Sequence, residues 1–322
     1  MIKGFTVVDG HIHAVSSPLS DADRVVWIDA FDPSQDEETA LCDHLGFELP
    51  GREAMEEIED SSRLYTDENA AFLTATLPID IEGDRPEMSA VTFILTPERL
   101  ITVRYHEPRA FRSFERHSEK LHLASDTGEA VFLALLDSVI NRLADILENS
   151  GRKVTGISRS VLRPEPSGKG RTDYRAVLGE IGRLGEIVSN VQDSLVSLER
   201  LIVFAGSEKS GEEISKSSRQ AIKSLSRDAR FLSEHAVSLA EKIGFMLDAT
   251  LGMIGIEQNE IVKILSVAAA LFLPPMLIAS IYGMNFIVMP ELHWFAGYPV
   301  ALLLMLGSAY LSYRLLKRRG WL

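Results

Sequence analysis

Residues 264–282 read ILSVAAALFLPPMLIASIY, nineteen positions without a charged side chain. A second uncharged stretch, also of nineteen residues, follows at 295–313. A helix of about 20 apolar residues crosses the hydrocarbon core of a bilayer, where every backbone polar group must be paired internally. The two stretches therefore predict a hairpin of transmembrane helices. Residues 283–294 form the connector between them.

The basic residues around these two stretches predict their orientation. Lys263 precedes the first stretch, and the connector contains neither Lys nor Arg. Four basic residues follow the second stretch: Arg314, Lys317, Arg318 and Arg319. Because Lys and Arg are enriched on the cytoplasmic side of membrane proteins, we expect both termini in the cytoplasm and the connector outside.

The sequence between 128 and 262 predicts long helices. Apolar residues spaced by three or four form a first stripe at Phe132, Leu136, Val139, Leu143 and Leu147. Two prolines and two glycines within 163–172 interrupt this pattern. A second helix is predicted from Thr172 or Asp173, and a turn at 206–211 separates it from a third helix that starts near Glu212.

The second and third helices each carry an apolar seam with alternating spacings of three and four, the heptad pattern of packed helices. The seams are Val177, Ile181, Leu184, Val188, Val191, Leu195, Leu198 and Ile202, then Ile222, Leu225, Ala229, Leu232, Ala236, Leu239, Ile243 and Met246. Packing within one chain and packing against further copies both fit these seams. The third helix continues without proline until Pro274, so it leads into the first uncharged stretch, which favours a stalk built from several copies.

Residues 1–127 predict a small sheet with helices packed on it. Strands are expected at 5–8, 25–28 and 72–77, and a hairpin joins 91–95 to 100–104. A helix is expected over 34–45, because a Ser34 cap is followed by acidic residues in the first turn. The predicted fold class is an α+β domain at 1–127, a helical stalk at 128–262 and a transmembrane hairpin at 263–322.

The net charge of the 322-residue chain is −13. Since the two uncharged stretches contribute none of this charge, the acidity belongs to the remainder of the chain. An acidic surface disfavours nucleic acid as a partner and suits cations. The sequence also lacks a phosphate-binding P-loop pattern, so no nucleotide is expected to drive the protein.

Four short motifs resemble the CorA family of magnesium and cobalt channels. They are YGMNF at 282–286, MPELxW at 289–294, GYP at 297–299 and the terminal WL at 321–322. IEQN at 256–259 extends the resemblance upstream of the first stretch. Toward the N-terminus the resemblance is limited to short patches such as VWID at 26–29. The motifs place the resemblance at the hairpin.

This resemblance implies a homopentameric funnel in a bacterial-type inner membrane. It also implies a transporter rather than an enzyme, with Mg²⁺ as the substrate and Co²⁺ and Ni²⁺ as additional permeants. No covalent cofactor is expected. The family further suggests that intracellular Mg²⁺ binds between neighbouring cytoplasmic domains and holds the pore shut.

In such a pentamer the first stretch would line the pore. One stripe without acid or base runs along it: Asn259, Val262, Leu265 (or Ser266), Ala269, Leu273, Met276 and Ser280. A narrow apolar lining closes by dewetting, and the larger side chains of the stripe suit that role better than Ala269. In the alternative, the stripe packs against the second stretch.

The expected selectivity filter is Gly283, Met284 and Asn285, at the outer end of the first helix. The last carbonyls of a helix carry partial negative charge, and neutral oxygens suit Mg²⁺, which gives up its waters reluctantly. Glu291 is the single acid of the connector and would concentrate cations at the mouth. The expected regulatory acids are Asp228, Asp67 and Glu68, although each also fits a solvated charged surface.

Three alternatives remain open. A related zinc transporter, coupled to protons, would share the fold, the pentamer and the motif at 283–285. A membrane-anchored metal-dependent hydrolase is suggested by His11 and His13, which lie two apart as zinc ligands on one strand do. A signalling or structural anchor would use the hairpin as attachment alone, which leaves the connector motif without a role.

Overall fold

The computed structural model describes residues 1–15, 24–57, 59–67, 70–79, 81, 86–117, 123, 125–162, 173–207, 216–284, 289–290 and 294–321. It divides into two compact units, Met1–Leu247 and Asp248–Leu322. The first unit contains a sheet and the helices around it. The second contains the C-terminal part of one long helix, and a further apolar helix.

The described strands of the first unit form one seven-stranded sheet. They are β1 Ile2–Val8, β2 His11–Val15, β3 Trp27–Phe31, β4 Leu64–Asp67, β5 Ala70–Pro78, β6 Met88–Leu95 and β7 Leu100–Arg104. Their order across the sheet is β2-β1-β3-β7-β6-β5-β4. β3 and β7 are parallel, and the other neighbouring pairs are antiparallel. The predicted hairpin is β6–β7.

Eight helices are present among the described residues. They are α1 Gln35–Leu45, α2 Arg52–Glu56, α3 Asp60–Arg63, α4 Arg109–His117, α5 Gly128–Leu162, α6 Tyr174–Ala205, α7 Lys216–Tyr282 and α8 Gly297–Arg318. The predicted cap of α1 is present, because the backbone N–H of Glu37 donates to the Ser34 hydroxyl and the Glu37 carboxylate accepts from the Ser34 N–H.

Helices cover both faces of the sheet. On one face, Leu41 of α1 and Met55 of α2 pack against Ile28, Phe72 and Ile94. The other face carries an aromatic cluster in which Trp27 stacks on Phe5 and meets Phe114 of α4 edge-on, and Phe93 meets Phe111 and Phe132. These apolar layers are nearly free of solvent and fix the sheet between α1 and the helices that follow β7.

The predicted helical seams are largely buried. In α6 the seam from Ile181 to Ile202 is at most 2% exposed. In α7 the residues Leu225, Ala229, Ala236, Leu239, Ile243 and Met246 are between 0% and 7% exposed. Packing within one chain therefore accounts for this part of the α7 seam. Phe231 and Phe245 lie on a different face of α7 and remain 68% and 62% exposed.

The boundaries of these helices agree with the sequence where the structure describes them. Asp173 caps α6, its carboxylate accepting from the N–H groups of Arg175 and Ala176. The predicted break at 163–172 lies outside the described residues. So does most of the predicted turn at 206–211, as well as the predicted start of the third helix at Glu212. α7 continues through Pro274 and Pro275.

The second unit holds the two apolar segments expected from the sequence. α7 and α8 are each long and apolar enough to cross a membrane, and their most apolar stretches are almost entirely unburied within the chain. The first uncharged stretch ends with α7 at Tyr282, and the second lies within or just before α8. Such exposure of apolar helices is unfavourable in water and suits a lipid or protein environment.

Candidate functional site

The C-terminal end of α7 carries the first two residues of the predicted filter. The N–H of Gly283 donates to the carbonyl of Ala279 at 2.9 Å, and the N–H of Met284 donates to Ile281 at 3.3 Å. Among the described residues, helical hydrogen bonding of α7 thus continues to Met284, in the predicted filter motif. Asn285 lies outside the described residues.

Gly283 follows α7 without adopting a left-handed backbone conformation. It is absent from the described glycines with positive φ, so it does not serve as a left-handed helix terminator. A Cβ atom at this position would lie 3.2 Å from the carbonyl oxygen of Ala279, a tight contact that a small shift would relieve.

The predicted pore-lining stripe is exposed along its whole length. Its members are Asn259, Val262, Leu265, Ala269, Leu273, Met276 and Ser280. The exposed fractions of its four large apolar side chains lie between 58% and 65%. Within one chain, these side chains therefore do not pack against α8, and they are available to contact further molecules.

The opposite side of α7 is less exposed than the predicted lining. Its half-buried residues include Val267, Ala270, Leu271, Pro274, Pro275 and Ile278. At 3.6 residues per turn, this face lies roughly opposite the exposed stripe. One face of α7 is thus partly covered, whereas the predicted lining is exposed.

A contact between α7 and the residues just after α8 supports a helical hairpin. The Lys263 ammonium donates to the Gly320 carbonyl at 3.5 Å. The Lys317 ammonium lies 5.9 Å from the centre of the Tyr313 ring. The start of the first uncharged stretch therefore lies at the same end of the second unit as the end of α8, where the basic residues 317–319 are found.

The connector is described only in part. Met289 is half-buried and Pro290 is exposed, whereas Glu291, the predicted residue of the outer mouth, lies outside the described residues.

The predicted regulatory acids lie at different places in the first unit. Asp67 ends β4 and lines a cleft with His44, Glu98 and Arg99. Asp228 lies on α7, where the Ser224 hydroxyl donates to it at 3.5 Å. Glu68 lies outside the described residues.

Asp228 influences a second carboxylate on α5. Partial burial raises the pKa of Asp137, a hydrogen bond from Asn141 opposes the rise, and the negative charge of Asp228 adds to it. Two carboxylates that repel each other favour a bound cation or proton. However, no group of three His, Cys, Asp or Glu residues in the described part of the chain is arranged to hold a metal ion.

The hydrolase alternative gains no support from the sheet. His11 and His13 lie on β2, the edge strand next to β1, and pair with Val8 and Thr6. Neither histidine belongs to a metal-binding group within the described residues.

Sequence reasoning missed a polar network inside the sheet. The Arg104 guanidinium binds both carboxylate oxygens of Asp29, and Thr102 donates to the same carboxylate at 2.8 Å. The indole N–H of Trp27 donates to the Thr102 hydroxyl at 3.0 Å. An acid within the apolar run VVWIDAF was the available signal, but its partner is 75 residues away in sequence.

An α+β unit followed by two exposed helices, each long and apolar enough to cross a membrane, is the architecture expected of an integral membrane protein. A family model described as CorA-like Mg²⁺ transporter protein matches residues 22–318. The chain belongs to the CorA family, whose members are transporters rather than enzymes. The family resemblance is thereby confirmed, as is the predicted fold class of an α+β domain followed by long helices and a C-terminal apolar helix.

Similar proteins cover the whole chain. The chain is 31% identical to a magnesium transport protein CorA of Haemophilus influenzae and 33% identical to one of Haemophilus ducreyi, in each case over 100% of both chains. It is 32% identical to the magnesium transport protein CorA of Escherichia coli strain K12, over 95% of this chain and 94% of the relative.

Solved structures show the same fold. The complete structure of the CorA magnesium transporter from Methanocaldococcus jannaschii superposes with a TM-score of 0.77 at 21% identity, covering 100% of this chain and 98% of that one. The full-length CmaX protein has a TM-score of 0.70 at 15% identity, with the same coverage. At these identities the likeness establishes the fold alone.

Proposed function

We propose that five copies of this chain form a channel that admits Mg²⁺ through a bacterial-type inner membrane. The observation that carries the proposal is the exposed, uncharged stripe of α7 that ends at Gly283 and Met284. Two spans per chain cannot enclose a pore, so several copies must surround one axis. The names of the relatives at 31–33% identity favour magnesium over zinc as the substrate.

The filter would consist of rings of carbonyl and amide oxygens from Gly283 and Asn285. Neutral oxygens at a helix C-terminus attract a cation without holding it as tightly as a carboxylate ring. Met284 would pack behind these rings, being 47% exposed in the single chain. A ring of Glu291 would raise the local cation concentration at the outer mouth.

The gate would be the apolar part of the exposed stripe. Val262, Leu265 and Leu273 lie on the more exposed face of α7. A ring of such side chains excludes water when it narrows, which stops a hydrated ion. Small changes in the packing of α7 would therefore open or close the path.

The membrane potential supplies the driving force in this proposal. Both termini would be cytoplasmic, as the basic residues near Lys263 and Arg318 favour. A divalent cation that enters an inside-negative cell gains roughly 4.6 kcal/mol per 100 mV. The pore would carry Co²⁺ and Ni²⁺ as well.

Intracellular Mg²⁺ would regulate the channel by binding acids between neighbouring copies. Asp228, Asp67 and Glu68 are the proposed ligands. In a chain with a net charge of −13, acidic surfaces that are brought together repel until a divalent cation bridges them. The proposed division of the chain is a cytoplasmic domain at 1–127, a stalk at 128–262 and a transmembrane hairpin at 263–322.

Ion flux into proteoliposomes tests the substrate. The full-length chain is reconstituted, an inside-negative potential is applied, and Mg²⁺ entry is compared with Zn²⁺ entry with and without a proton gradient. The proposal expects Mg²⁺ to enter with the potential alone. Zn²⁺ entry that requires the proton gradient, without Mg²⁺ entry, would instead establish the zinc alternative.

A further inference from the structure

A basic groove lies between α4 and α5 in the first unit. Its volume is about 640 Å³, and its lining includes Arg109, Arg112, Arg116 and His117 from α4 and Arg142 from α5. We call this the α4–α5 groove. None of its residues belongs to the proposed ion path or to the proposed regulatory acids.

The charge of this groove is opposite to that of the chain. The whole chain carries a net charge of −13, yet the groove is lined by four arginines and only two acids, Asp137 and Asp145. α4 places Arg109, Arg112 and Arg116 at spacings of three and four, which puts them along one side of the helix. The buried side of the same helix carries Ala110, Phe111 and Phe114, so the arginines are held outward by the core beneath them.

Arg112 is oriented by a neighbouring acid. Its Nε and Nη2 atoms both donate to Oε2 of Glu107, and this contact lowers the pKa of the Glu107 carboxyl. The Nη1 edge of the guanidinium makes no hydrogen bond to a described residue. A guanidinium fixed along one edge presents its remaining donors in a defined direction, which reduces the entropy lost when a ligand binds.

We propose that the α4–α5 groove binds the phosphate chain of a polyanion, with a nucleoside triphosphate as the best fit. Guanidinium groups bind phosphate oxygens through paired, charge-assisted hydrogen bonds. The volume lies within the roughly 300–1,000 Å³ of ordinary small-molecule sites. Asp137 and Asp145 are acceptors that suit the hydroxyl or amino groups of a nucleoside rather than a bare phosphate chain.

The charge of the ligand determines which form of a triphosphate the groove prefers. A triphosphate that chelates Mg²⁺ carries two fewer negative charges than the free form. Since electrostatic attraction to the arginines scales with ligand charge, the groove binds the Mg²⁺-free form more tightly. The groove thus distinguishes unchelated from chelated triphosphate.

Calorimetric titration of the purified full-length chain tests this proposal. Adenosine triphosphate and inorganic tripolyphosphate are each added in Mg²⁺-free buffer at about 0.15 M salt, where long-range attraction is screened. Saturable binding of one ligand per chain is expected, weakened when Mg²⁺ is added. The double variant Arg112→Gln/Arg116→Gln is expected to weaken binding by about tenfold or more.

A matched double variant removes the same charge elsewhere. Arg52 and Arg230 are exposed, and each pairs with an acid four residues ahead. Arg52→Gln/Arg230→Gln is expected to leave the affinity unchanged. Tighter binding of the nucleotide than of tripolyphosphate supports a nucleoside contact, and equal binding assigns the site to the phosphate chain alone.

Three results would overturn the proposal: no saturable binding of either probe, equal weakening by both double variants, or binding of an acidic peptide in the absence of phosphate binding. The thermal unfolding of each variant is measured in parallel. Because the binding assay needs no ion flux, its failure would leave the transport proposal untouched.

Discussion

Asp29 and Arg104 form a two-point ion pair inside the sheet. Arg104 Nη2 lies 2.8 Å from Asp29 Oδ2, and Arg104 Nε lies 3.0 Å from Asp29 Oδ1. Both residues are 0% exposed. The guanidinium also lies 4.5 Å from the ring centre of Phe31 and 5.0 Å from that of Phe111. The pair ties the parallel strands β3 and β7 together at the centre of the sheet.

Removal of one member of this pair is expected to destabilise the first unit. Asp29→Ala leaves the Arg104 charge buried without its main partner, which costs about 3–5 kcal/mol. The measurement is the thermal unfolding of the purified full-length protein. The double variant Asp29→Ala/Arg104→Met is expected to lose less than the sum of the two single variants, since no uncompensated charge remains. Strict additivity would show that the pair does not act as a unit.

Gly128 at the start of α5 is expected to tolerate no side chain. A Cβ atom there would lie 2.4 Å from the backbone carbon of Arg99 and from the backbone nitrogen of Leu100. Gly128→Ala must therefore push α5 away from the β6–β7 hairpin. This is expected to lower the free energy of unfolding by about 1–3 kcal/mol or more. Gly151→Ala in the same helix meets nothing within 4 Å and is expected to raise stability slightly. Equal melting temperatures for the two variants would contradict this close approach.

The exposed stripe of α7 provides a test of the proposed gate. Leu265 and Ile264 are neighbours with similar exposure, 65% and 69%, but only Leu265 belongs to the stripe. Leu265→Ser is expected to increase resting Mg²⁺ flux in proteoliposomes, because a hydroxyl stabilises water in a narrow apolar passage. Ile264→Ser is expected to leave the flux unchanged. If both variants leak equally, the stripe is not the lining.

Regulation by intracellular Mg²⁺ is tested at Asp228. Asp228→Asn removes one proposed ligand charge while keeping the size of the side chain. Flux is measured against the Mg²⁺ concentration on the cytoplasmic side, and the concentration that halves the flux is expected to rise. Asp36→Asn on α1 is a control that changes an exposed acid of the same unit. An unchanged inhibition curve for Asp228→Asn would remove this residue from the proposed site.

Local sequence signals predicted α1, the long helices α5, α6 and α7, and the β6–β7 hairpin, but not the short helices α2, α3 and α4. The cap at Ser34 with Glu37, the cap at Asp173 and the turn between β6 and β7 depend on residues close in sequence. The seams of α6 and α7 follow from periodicity, because a buried helix face repeats every three or four residues.

Contacts between residues far apart in sequence could not be predicted from the sequence alone. The parallel pairing of β3 with β7 places Asp29 opposite Thr102. Nothing in the sequence near either residue indicates this pairing. The α4–α5 groove likewise forms only when α5 packs beside the arginines of α4. The heptad seam of α7 did not reveal whether its partners lie in the same chain, since both arrangements bury the same residues.

The most direct test of the proposed channel is Mg²⁺ flux through Asn285→Ala. The variant is reconstituted at an inside-negative potential beside the wild type and Asn190→Ala, which removes an amide from α6 outside the proposed path. Wild type and Asn190→Ala are expected to conduct Mg²⁺, while Asn285→Ala is expected to lose the flux or its control by Mg²⁺. Wild-type flux with normal regulation in Asn285→Ala would contradict the assignment of the filter.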